Sequence, residues 1–151
     1  MLLDGINHVA VITEDTERFV SFYKDVFDAT VSRIEEIGPG RLTIVDVGPK
    51  NELNVFEVKD MDTQTRGSMF THGPIDHIGL SAKDKESFDE IRRRLMAKGA
   101  TDGFVTDFGT ALSVFFVDPD GLEGEVLLFL SRDNEGHPPG TPAEGYEIGV
   151  P

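Results

Sequence analysis

The chain has no cysteine among its 151 residues. That excludes disulfides and thiolate metal ligands, and it fits a reducing, cytoplasmic setting. Tryptophan is also absent, so the aromatic content rests on 11 phenylalanines and 2 tyrosines. No apolar run approaches the ~20 residues that a membrane span needs. The opening Met-Leu-Leu-Asp-Gly has neither a basic n-region nor the long apolar stretch of a secretory signal. Positive charge is scarce: 14 Lys and Arg stand against 28 Asp and Glu, a net charge of -14. Such a surface repels phosphate backbones and anionic lipids, so neither nucleic acid nor membrane is expected as a partner. The one basic cluster, Arg92-Arg93-Arg94, lies in a helical stretch with Asp89 and Glu90. It reads as a solvated helix face rather than an anion site.

What is present is a pattern that occurs twice. Ile6-Asn7-His8-Val9-Ala10-Val11-Ile12-Thr13 and Ile75-Asp76-His77-Ile78-Gly79-Leu80-Ser81 each set a histidine at the start of an apolar, strand-like run. A helical segment follows each. In the first, Phe19, Phe22, Tyr23 and Val26 share one face after an N-cap at Asp15 or Thr16. In the second, about residues 85–98, Phe88, Ile91 and Leu95 share a face and Gly99 is a natural stop. Strands are expected at 30–36, 41–47 and 52–58 in the first half. In the second they are expected at 104–107, 111–117 and 122–130, with Asp118-Pro119-Asp120-Gly121 as a strong turn. The chain thus reads as one domain, residues 1–151: module one over 5–58, a polar linker over 59–74 and module two over 75–130. A Pro/Gly-rich tail follows over 131–151, extended on the surface or on a partner subunit.

The repeat also pairs two carboxylates. His77 lies 69 positions after His8, and Glu125 lies 68 after Glu57; within the halves the His-to-Glu offsets are 49 and 48. Both glutamates have apolar neighbours, and a carboxylate in such company is costly unless paired or bound to a cation. His8, Glu57, His77 and Glu125 therefore form a candidate ligand set for Zn, Ni, Mn, Co or Fe(II), with positions left for water or substrate. Taken singly, a strand histidine is more often a packed residue and a strand glutamate more often faces solvent. The matched spacing is what raises the four together. His72 and His137 lie beside Gly or Pro and are expected to be exposed. Glu52 and Glu123 break the spacing match and are weaker ligand candidates.

These segments, together with Phe22-Tyr23-Lys24-Asp25-Val26-Phe27 and Phe116-Val117-Asp118-Pro119-Asp120-Gly121-Leu122, resemble the vicinal oxygen chelate superfamily. That superfamily includes glyoxalase I, fosfomycin- and bleomycin-resistance proteins and extradiol dioxygenases. The resemblance implies an α+β fold: two βαβββ modules forming a cupped, partly open β-barrel around a metal site. It implies metal ligands at His8, Glu57, His77 and Glu125, with Glu57 or Glu125 also serving as catalytic base. The activity implied is that of a glyoxalase-like lyase or isomerase, acting on a small carbonyl or hydroxy-acid substrate through a metal-stabilised enolate. The alternatives are an Fe(II) extradiol ring-cleaving dioxygenase using His8, His77 and Glu125, and a bleomycin-resistance-like binding protein. Where glutathione-dependent glyoxalases carry an arginine after the first ligand, this chain has Ile12. The Lys/Arg set that fosfomycin transferases need has no match either. A homodimer is expected, with modules paired within one chain or exchanged between two.

Overall fold

The computed structural model describes residues 6–37, 40–59 and 77–150. The expected linker falls almost wholly outside these, as does His72. The chain divides into two compact units, residues 1–65 and 66–151.

The first unit contains β1 (His8–Thr13), α1 (Thr16–Phe27), β2 (Thr30–Ile37), β3 (Gly40–Gly48) and β4 (Asn51–Glu57). Its sheet has the order β1-β4-β3-β2, with β1 parallel to β4 and the remaining pairs antiparallel. The Asp15 side chain accepts from the Arg18 N–H and caps α1. Asp28, in the left-handed region at φ 55, ends it. Phe19, Phe22, Tyr23 and Val26 are buried on one side of α1. Each such side chain contributes roughly 1.5–3 kcal/mol by leaving water. On the sheet, Thr13, Thr43, Val45, Leu53 and Val55 are buried. The alternation therefore gives each strand one apolar face and leaves the other for His8, Ala10 and Ile12, all exposed.

The second unit repeats the order with β5 (Ile78–Ser81), α2 (Lys85–Ala97), β6 (Val105–Asp107), β7 (Ala111–Val117) and β8 (Glu123–Phe129). The sheet runs β5-β8-β7-β6, again with the first and last strands of the module parallel. Asp84 caps α2 through the Ser87 N–H, and Gly99 follows its end at φ +67. Val105, Val114, Phe116, Val126 and Leu128 are the buried residues of this sheet's apolar face. Both modules are βαβββ, and the α+β class read from the sequence is the observed one. β1 and β5 begin at the histidine or one residue after it, later than the expected starts at 5 and 75.

Phe116 and Gly124 are register partners, and a Cβ at Gly124 would overlap the Phe116 ring. Gly124→Ala is therefore expected to destabilise the protein by about 1–3 kcal/mol through overpacking, read as a lower urea midpoint at unchanged slope.

Two expectations for the second unit change. Arg93 and Arg94 do pair with Glu90 at the surface of α2. Arg92 instead is buried, 5% exposed. Its Nε donates to Gly103 O at 2.8 Å and its Nη2 to Glu147 O at 2.7 Å. The tail is the reason. Its backbone runs along β6, with Asp107 N–H donating to Thr141 O and Ala143 N–H to Val105 O. It then lays Tyr146 against α2, where the hydroxyl donates to Asp89 at 2.5 Å and the ring lies 5.3 Å from the Arg92 guanidinium. The tail thus covers the β6 edge, which an open sheet must protect. His137 is exposed, as expected, with Nδ1 3.4 Å from Asp107 Oδ2.

Candidate metal centre

In the second module His77 and Glu125 come together. Glu125 pairs with Gly79 on β5 and with Phe115 on β7. His77 lies two residues before Gly79, so all share the face opposite the apolar one. His77 Nε2 is 3.5 Å from Glu125 Oε2. That is too long for a good N–H···O bond. It suits two ligands of one ion, whose bonds of about 2.1 Å set them roughly 3–3.5 Å apart. Ser113 Oγ donates to the other carboxylate oxygen, Oε1, at 2.6 Å. This fixes the carboxylate with Oε2 toward the histidine, the orienting role that partners of metal ligands play. The Phe115 ring meets the His77 ring edge-on at 5.8 Å. A Cβ at Gly79 would stand 3.4 Å from Leu127 Cδ1 and 4.0 Å from Glu125 Oε2, ordinary packing distances.

In the first module His8 is exposed and its Nδ1 is 2.9 Å from Asn7 Oδ1. With Nδ1–H donating to that oxygen, Nε2 carries the lone pair a metal requires. Register pairs His8 with Glu52, Ala10 with Asn54 and Thr13 with Glu57. The residue standing where Glu125 stands in module two is therefore Asn54, not Glu57. Glu57 belongs to the opposite face, with Val9, Val11 and Thr13. The cause is parity: side chains alternate with period 2, so an offset of 49 reverses the face that an offset of 48 keeps.

Glu57 is held where it lies. Its Oε2 accepts from Arg41 Nη2 at 2.7 Å and from the Thr16 N–H at 3.3 Å, and Lys59 Nζ is 2.8 Å from Oε1. It joins β4, β3 and the start of α1. Lys59 first, then Thr16 and Arg41, hold its carboxyl at about 2, well below the ordinary 4.5. Since the folded value is the lower one, this clasp stabilises the fold fully above about pH 4.5 and loses its effect as pH falls toward 2. Glu57→Gln is expected to flatten the pH dependence of unfolding free energy across that window, measured by denaturant titration at successive pH values. Arg41 would lose that partner for its charge in the variant.

Glu52 and Glu123, discounted on spacing, stand at the register positions across from the two histidines, Glu123 by continuation of the β5–β8 pairing. Ser113, Asn7 and Asn54 were not singled out by sequence; the available signal was even spacing for Ser113 from Glu125 and Asn54 from His8, and adjacency to His8 for Asn7. Among the described residues, no three His, Asp or Glu side chains are gathered at metal-binding distance. Each module by itself supplies its own part of a donor set: an oriented histidine in the first, a histidine–carboxylate pair in the second. The donor chemistry at His8, His77 and Glu125 fits a divalent ion; Glu57 lies on the other strand face and is engaged by Arg41, Thr16 and Lys59.

Comparison with known proteins agrees with this architecture. The model of the Glyoxalase/Bleomycin resistance protein/Dioxygenase superfamily matches residues 5–126, and the chain belongs to that superfamily. Among solved structures, a glyoxylase/bleomycin resistance protein/dioxygenase domain from Frankia sp. EAN1pec superposes with a TM-score of 0.72 at 19% identity, covering 86% of this chain and 95% of that one. A glyoxalase family protein from Enterococcus faecalis gives 0.66 at 23% identity, covering 84% and 99%. The fosfomycin resistance protein FosX from Listeria monocytogenes, solved with Mn(II) and sulfate, gives 0.61 at 17% identity, covering 85% and 95%. Likeness at these identities establishes the fold, and a fold of this kind hosts several chemistries.

Proposed function

We propose that this protein is a metal-dependent enzyme in which His8, His77 and Glu125 hold one divalent ion and a small carbonyl or hydroxy-acid substrate is rearranged beside it. The observation that carries the reading is the His77–Glu125 pair, set 3.5 Å apart on one sheet face with Ser113 fixing the carboxylate. A divalent ion so held supplies Lewis-acid polarisation of a substrate oxygen and stabilises negative charge on it. The residues do the rest. His8 and His77 present ring nitrogens, Phe115 limits water on one side of His77, and the Glu125 carboxylate, where Oε2 leaves the ion, would take or return a proton at the carbon next to the polarised oxygen. Glu57 has no part in the step. The reaction class is a glyoxalase-like lyase or isomerase.

One observation favours a second reading. With Glu57 turned away, the ligand set contracts to two histidines and one carboxylate, the composition of Fe(II) oxygenase sites. The two separate in one experiment. The metal-loaded protein is incubated with small hydroxy-ketones and aldehydes in D2O, and in parallel with catechols in air. Deuterium entering the carbon next to the carbonyl supports the isomerase; oxygen uptake with loss of catechol absorbance supports ring cleavage. A protein that takes up no stoichiometric metal, and binds small molecules equally well as His8→Ala, is a binding protein and overturns both.

A further inference from the structure

Asn54 is half-buried on β4, on the same face as His8. Its Oδ1 is shielded from solvent and, among the described residues, accepts no hydrogen bond. The reason is local. Its register partners are Ala10 on β1 and Ile44 on β3, and its same-face neighbours along β4 are Glu52 and Phe56. Ala10, Ile44 and Phe56 have no donor, and an ionised Glu52 only accepts. His8, on the diagonal, has its Nδ1 engaged by Asn7. A buried acceptor left alone costs about 1–3 kcal/mol, and folds retain such a group where something else completes it. The position is not arbitrary. Asn54 between Ala10 and Ile44 corresponds to Glu125 between Gly79 and Phe115, one small and one bulky neighbour in each module.

We propose that Asn54 is a specificity-determining residue whose Oδ1 accepts a hydrogen bond from a hydroxyl of the substrate, so that the site prefers a hydroxy acid to the matching keto acid. The proposal rests on the reaction centre lying on the His8 face. A neutral amide oxygen accepts from O–H and gains nothing from a second carbonyl, which only accepts in turn. A site that presents an unpaired acceptor rejects the ligand lacking the donor.

The probes are lactate and pyruvate, whose binding to the Zn(II)-loaded protein is followed by ligand-observed NMR, with Zn(II) affinity measured separately. The wild type is expected to bind lactate about tenfold more tightly than pyruvate, the effect of one well-made hydrogen bond. Asn54→Leu is expected to erase the preference while Zn(II) affinity stays as in the wild type and thermal unfolding is not lowered. Asn54→Asp, which keeps the acceptor, is expected to retain it. Equal binding of the two acids by the wild type, or no binding of either, overturns the proposal and leaves the metal reading standing if Zn(II) is taken up. A loss of Zn(II) affinity in Asn54→Leu also overturns it, since the amide would then be a metal contact. A protein that takes up no Zn(II) yet shows an Asn54-dependent preference keeps this proposal and removes the metal reading.

Discussion

Glu125→Gln is expected to lower divalent-metal affinity by about 100-fold or more, measured by competition with a chromophoric chelator. A glutamine keeps the shape of the side chain and one carbonyl oxygen, but it loses the negative charge that a hard or borderline cation needs at Oε2. It can still accept from Ser113, so the strand and its neighbours stay in place. The loss therefore separates ligation from folding. Ser113→Ala supplies the graded control. The carboxylate keeps its charge but loses the bond at Oε1 that orients it. Outer partners of this kind are worth about tenfold to 100-fold in affinity, so Ser113→Ala is expected to fall between the wild type and Glu125→Gln. If both variants bind metal as the wild type does, the carboxylate is not a ligand.

The largest stability effect is expected at Arg92. Arg92→Met keeps much of the apolar stem and removes the guanidinium that serves Gly103 O and Glu147 O. Two carbonyls then lose a charged donor, and the Tyr146 ring loses a cation 5.3 Å from its centre. The buried Gly103 carbonyl deprived of a partner costs about 1–3 kcal/mol and the part-buried bond to Glu147 O adds about 1, so a loss of about 3 kcal/mol is expected by urea denaturation. A chain ending at residue 140 lacks Glu147 and Tyr146 altogether, so Arg92→Met is expected to cost less in that background. Equal costs in both backgrounds would show that Arg92 acts through Gly103 alone.

The fold was legible because apolar periodicity and turn chemistry agree along both halves. Phe19, Phe22, Tyr23 and Val26 state a helix face, Asp118-Pro119-Asp120-Gly121 states a turn, and the two histidine strands state the repeat. His77 and Glu125 were legible for the same reason: they sit 48 positions apart, an even offset, and sheet pairing brings them to one face. The strand face of Glu57 was harder to read. Its offset of 49 looks like a near match, but strand geometry admits no near match in parity, and the first module reaches the corresponding position earlier, at Asn54. Its partners Arg41 and Lys59 were in plain view but could be assigned only once β3 and β4 were in register. The tail resisted reading for a different reason. Its pairing with β6 joins residues some 35 positions apart through backbone bonds, which leave little trace in composition. Arg92 looked like its neighbours Arg93 and Arg94 because what buries it lies in that same tail.

The division of labour between the two glutamates is tested most directly by titrating metal into Glu57→Gln. The account expects one divalent ion per chain at an affinity within about twofold of the wild type, together with a flattened acid-stability profile. Loss of stoichiometric metal in Glu57→Gln, with circular dichroism showing a folded protein at neutral pH, would contradict it and return Glu57 to the metal.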